Sequence, residues 1–193
     1  MITQENLNKL RTSLSINAKN GLDFTLSASI IWLLIGFVWA LDQSSYNKSI
    51  ITFMTGSLML PLALLLSKLL KTNWTDKENP LQPLGLWLNF AQLFYFPFLI
   101  LTLIKMPDYF VMVYVIITGA HFFPYAWFYD TKLYAVFAGI ISIGALILGL
   151  ILPYSLVFII PMIMSAMLLL LTILLYFDSK NKKTREELIK LGN

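Results

Sequence analysis

TGSLMLPLA, residues 55–63, and TGAHFFPYA, residues 118–126, decide how this chain is read. Both phrases set Thr six residues before a proline, with Gly directly after the Thr and Ala two places after the Pro, and both lie inside long apolar stretches. A spaced repeat of this kind within hydrophobic spans reads as duplicated transmembrane hairpins, each with a broken second helix. A shift of 63 residues lays the first hairpin on the second, pairing Ala28 with Ala91, Asp42 with Lys105, Thr55 with Thr118 and Pro61 with Pro124. The third hairpin fits more loosely, through Pro161.

Working outward, 58% of the residues are hydrophobic and only 12% charged, and the mean hydropathy is +0.75. That balance belongs to an integral membrane protein. Six stretches are long enough to cross about 30 Å of hydrocarbon at ~1.5 Å per residue: 23–41, 49–70, 84–104, 108–129, 133–152 and 154–177. The expected fold is therefore all-α and polytopic, with six transmembrane helices as tandem hairpins whose second helices are kinked by proline. Residues 1–22 read as a cytoplasmic amphipathic segment, with Leu7, Leu10 and Leu14 on the inner leaflet beside Lys9 and Arg11. Residues 178–193 read as a basic cytoplasmic tail with a short helix of its own, started by the Thr184 to Glu187 capping-box spacing. The first twenty residues are polar and lack the apolar core and cleavage site of a secretory signal, so the first span is expected to be retained.

Basic residues near span ends stay on the cytoplasmic side. With both termini inside, twelve of the fourteen Lys and Arg residues fall there and only Lys48 and Lys105 fall outside. The expected location is the bacterial cytoplasmic membrane, multi-pass, with both termini cytoplasmic. This asymmetry accounts for the sequence pI near 9.2, so no nucleic-acid partner is implied; membrane lipids are the expected partners.

Pro61, Pro97, Pro124 and Pro161 each lack the N–H of an unbroken helix and crowd the carbonyl four residues back. In hydrocarbon such carbonyls need partners from side chains, neighbouring helices or water. His121, the only histidine in the chain, stands three residues before Pro124. At helical spacing Tyr114, Thr118, His121, Tyr125 and Phe128 share one face of the fourth span. Span three adds Asn89, Gln92, Tyr95 and Phe96, and span one offers Thr25, Ser29, Trp32 and Gly36. These residues are expected to line a polar, aromatic cavity, with His121, Tyr125, Thr118, Tyr114, Gln92, Asn89 and Trp32 as its ligand-binding set. Against this stands a structural histidine that only bonds a carbonyl loosened at Pro124.

Chemistry is limited by what is missing. There is no cysteine, so no disulfide or thiolate metal site. One histidine cannot supply a metal centre or a nucleophile with its base, and there is no phosphate loop, HExxH or GxSxG. No catalytic residue, metal or cofactor is expected. Asp23, Asp42, Asp108, Asp130 and Asp178 sit at span ends, where carboxylates face water. Three function classes stay open: binding or transport of a small amphiphilic or lipid-like molecule near His121, an isomerase-like membrane enzyme using His121, or a structural, partner-binding subunit.

The remaining signals are architectural. Ala135, Ala138, Gly139, Ser142, Ala145 and Gly149 form a small-residue strip for close helix packing, and Trp39, Trp74, Trp87 and Trp127 suit interfacial belts, with Trp32 too deep for one. The phrases GLDFTLSASIIWLLIGF, NPLQPLG and TGAHFFPYAWFY resemble an uncharacterised family of small bacterial membrane proteins known only as a domain of unknown function, over Gly21 to Tyr176. The resemblance implies six spans and carries no established activity. In size and span count the chain is also similar to the substrate-binding subunits of energy-coupling-factor vitamin transporters, without a matching docking or vitamin-binding motif.

Overall fold

A computed structural model describes residues 3–74 and 76–191. Residues 1–2, 75 and 192–193, which belong to the expected N-terminal segment, the connection after span two and the tail, lie outside the described residues, as does the side chain of Lys190 from the basic count. Among the described residues the chain is helical without strands, and six helices are long and apolar enough to cross a membrane. They agree with the six expected spans except at the last, whose helix reaches far beyond residue 177.

Helix α1, Gln4–Asn17, starts at Thr3, whose side chain accepts from the Asn6 N–H. It ends where Lys19, Asn20 and Gly21 take positive φ values of 46°, 56° and 73°, a left-handed reversal that only glycine adopts without a Cβ penalty. Helix α2, Leu22–Ala40, follows as span one. Spans two, three and four are each interrupted: α3, Ser45–Gly56, gives way to α4, Met59–Leu70; α5, Gln82–Leu93, to α6, Phe96–Lys105; and α7, Phe110–His121, to α8, Tyr125–Phe128. Pro61 and Pro97 fall in the first turns of α4 and α6, and Pro124 caps α8. There the missing N–H has no intrahelical partner to lose. The break in span two covers 57–58 and that in span four 122–124, two residues later than the 63-residue shift places it. Spans five and six are α9, Leu133–Ile151, and α10, Ile159–Leu191. Pro161 is the third residue of α10, and no turn interrupts the helix beyond it.

The two most extensive seams join spans one and six and spans four and five, not the members of one expected hairpin. The first seam is held by small polar residues: Ser29 donates to the Ser165 carbonyl, Ser165 to that of Ser29, and Thr172 lies 2.9 Å from the Thr25 hydroxyl. Gly36 faces Met162 on the same seam. In the second, Ser142 donates to the Ile116 carbonyl and Gly149 lies against Met112. The small-residue strip of α9 therefore packs within the molecule, although Gly139 meets no neighbour. Most of the core lies along α2, α7, α9 and α10, whereas α5 contains no buried residue.

Two local expectations change. Arg11 and Leu14 are buried against the bundle, because Arg11 pairs with Asp130 at 2.9 Å and donates to the Trp127 carbonyl at 2.6 Å. α1 thus packs against one end of the bundle. The tail forms no separate helix, because α10 continues unbroken and Thr184 bonds back to the Lys180 carbonyl four residues earlier, as a mid-helix Thr does. Asn20, fully buried, ties α1, α9 and α10 together: it accepts from Ser15, donates to the Leu175 carbonyl and Asp178, and its own carbonyl accepts from Tyr134.

Candidate functional site

The interruptions open the bundle on one side. α4 and α5 make no extensive contact with each other, and between them, α2 and α7 lies a cavity of about 570 Å³. That is a volume in the range of small-molecule sites, roughly 300–1,000 Å³. All seven residues expected to bind a ligand line it: Trp32 from α2, Asn89 and Gln92 from α5, Tyr114, Thr118 and His121 from α7, and Tyr125 from α8. Phe96, Phe128 and Thr25 line it as well, whereas Ser29 and Gly36 turn to the α10 seam.

The wall is largely aromatic. Trp32 is buried and tilts against Tyr114 at 5.0 Å between ring centres, and the His121 ring meets Tyr125 edge-on at 5.4 Å. Gln92 donates weakly to the Thr118 hydroxyl at 3.4 Å, while Asn89 bonds its own helix at the Gly85 carbonyl. His121 lines the cavity without the carbonyl bond of a structural histidine. Among the described residues its aromatic neighbours are Tyr125 and Phe122, and no hydrogen bond ties it to span one, span three or a carbonyl near Pro124. The Tyr125 hydroxyl, on a side chain only 7% exposed, likewise has no partner. An orphaned buried hydroxyl is uncommon and costs its desolvation.

The polar end of the cavity contains residues the sequence reading passed over. Asp23 is 1% exposed instead of facing water. One of its oxygens accepts from the Trp74 indole and from Thr72 at 2.6 Å, and the other from the Phe24 N–H at 3.0 Å. Trp74 is therefore no belt residue: it stacks on Phe24 at 4.7 Å and closes this end. The connection that carries it is strapped to α1, with the Asn73 N–H on the Asn17 carbonyl and Asn79 on that of Leu10. An aspartate beside Gly21 at the head of an apolar span, and a tryptophan in an otherwise polar connection, were the available signals.

Trp39 is also buried, donating to Thr52, which leaves Trp87 and Trp127 as the exposed members of the expected belts. A second hollow, of about 560 Å³, lies at the opposite end of the bundle, but there Ser45 bonds both Asp108 and Tyr154. Among the described residues no cluster of His, Cys, Asp or Glu is arranged to hold a metal.

The model of a family of unknown function, DUF7010, matches residues 7–178. The chain belongs to that family. The match takes in every residue that lines the cavity, from Leu14 to Tyr134. No curated protein and no solved structure matches the chain.

Proposed function

We propose that this protein binds, and moves or presents, a small amphiphilic or lipid-like molecule in the cavity beside His121. The observation that carries this reading is open volume beside an uncommitted polar group: the imidazole of His121 lines the cavity with no hydrogen-bond partner among the described residues. A packed structural core leaves no such groups. The amphiphilic character follows from the rim. Leu60, Leu86, Phe90 and Leu93 line the cavity on α4 and α5 and are 60%, 56%, 46% and 51% exposed, so within a bilayer the cavity is open to lipid on that side.

The isomerase-like alternative needs a carboxylate free to act with His121. Asp23 lines the same cavity, yet its oxygens already accept three hydrogen bonds, which makes it a fixed charge and not a mobile base. Twelve basic residues on one side of the spans support placing both termini in the cytoplasm.

Native mass spectrometry of the purified protein tests the reading. We expect a retained small molecule or lipid in the wild type and its loss in His121→Phe, at an unchanged melting temperature, because His121 gives up no hydrogen bond within the protein. Full retention in the variant, or a large fall in melting temperature with retention unchanged, overturns the ligand role.

A further inference from the structure

The charges and rings around the cavity restrict what the polar part of its ligand is. Two carboxylates, Asp23 and Asp76, line the polar end, and among the described residues no lysine or arginine lines the cavity. Lys19 donates to the Leu70 carbonyl at 2.6 Å, Arg11 pairs with Asp130, and Lys182 with Asp178, while Lys71 and Lys77, the chain neighbours of Thr72 and Asp76, are exposed and pair with neither lining acid. Asp23 is held by neutral donors alone, the Trp74 indole, Thr72 and a backbone N–H, so its charge has no cationic partner among the described residues. A buried carboxylate without a counter-ion leaves the surrounding space favourable to a cation.

The walls point the same way. Trp32, Trp74, Tyr114, Tyr125 and Phe128 turn rings toward the space, and aromatic faces attract ammonium groups, most of all when water is excluded. Independently of the acids, Tyr125 lines the cavity, is 7% exposed, and carries a buried hydroxyl with no partner in the protein.

Resting on the binding function proposed above, we infer that the ligand is an amphiphile with a cationic head, an amine or quaternary ammonium, which lies between Asp23 and the aromatic walls while its apolar part extends past Leu60 and Phe90 toward lipid. Anionic headgroups such as phosphates and carboxylates meet two like charges and no basic residue in this cavity, and are rejected.

The test uses the full-length protein in maltoside micelles and three probes with the same ten-carbon chain: decyltrimethylammonium, decyl glucoside and decyl sulfate. Binding is followed by tryptophan emission, since Trp32 and Trp74 are part of the wall. The ammonium probe is expected to bind at least tenfold more tightly than the other two, and Asp23→Asn, which keeps an acceptor for Trp74 and Thr72, should erase most of that preference while leaving the glucoside unchanged. Asp76→Asn, at a more exposed position, provides a second charge removal if Asp23→Asn does not fold. Equal affinities for the three heads, or a tighter sulfate, overturn the cationic head but leave a binding cavity in place. No saturable response to any probe overturns both.

Discussion

At the scale of single residues, the informative positions are those whose polar atoms are either tied down or left alone. Tyr125 belongs to the second kind: its hydroxyl is buried without a partner, so Tyr125→Phe removes a group that contributes no hydrogen bond. The variant should melt at or slightly above the wild-type temperature in a thermal unfolding scan; a clear loss of stability would reveal a hidden partner for the hydroxyl. Gly21 is of the opposite kind. Its φ of +73° and the Tyr129 and Tyr134 hydroxyl oxygens 3.2 and 3.3 Å from where a Cβ would stand leave no easy place for a side chain. Gly21→Ala should therefore cost about 1–2 kcal/mol from the left-handed backbone alone, read as a fall in melting temperature. Of the candidate site, the face of span four was legible because residues at steps of three and four stand on one side of a helix, and Tyr114, Thr118, His121 and Tyr125 do share one cavity. Asp23 was not legible: a carboxylate at the head of a span is solvated unless another segment covers it. The cover, Trp74 and Thr72, comes from about fifty residues away in a connection with no periodicity.

Among the helical elements, burial divides the bundle unequally. In α10, Leu168, Leu171 and Leu175 are fully buried against the rest of the molecule, whereas α5 buries nothing and α4 buries only Ala63. Leu168→Ala should lower stability by about 2–5 kcal/mol, the usual cost of truncating a buried leucine and leaving a cavity, while Leu86→Ala on α5 should cost well under that because its side chain is 56% exposed. Thermal unfolding of both variants in one detergent checks the contrast; equal losses would mean that α5 is packed more firmly than its exposure indicates. The spans themselves could be read from hydropathy, since an apolar run of twenty residues has few other uses. Their partners could not. The seam between spans one and six depends on Ser29, Ser165, Thr25 and Thr172 meeting across more than 130 residues of chain, and serine or threonine in a span marks close packing without naming the neighbour. The interruptions were legible at the level of the span but not of the turn, because a proline dictates that the helix must restart near it while local side chains select the residue.

For the molecule as a whole, orientation follows from how the two ends differ. One end gathers α1, the connection after span two and the start of the tail around Asn20 and Lys182, with Lys182 donating to the Ser15 hydroxyl and to the carbonyls of Tyr129 and Asp130. This end also carries most of the basic residues, which is the basis for proposing that it faces the cytoplasm. The opposite end holds Lys48, turned inward to the Trp39 carbonyl and over the ring of Tyr154, so its charge is sequestered by the protein. Native cysteines are absent, and single cysteines therefore report accessibility without background. Gln43 and Asn181 are exposed at the two ends, whereas Ser45 is buried against Asp108 and unsuitable for labelling. On intact cells an impermeant maleimide should label Gln43→Cys and spare Asn181→Cys, and permeabilisation should make the second react. Labelling of Asn181→Cys alone would invert the molecule, placing the acidic end of the cavity at the outer face and its ligand on the other side of the membrane.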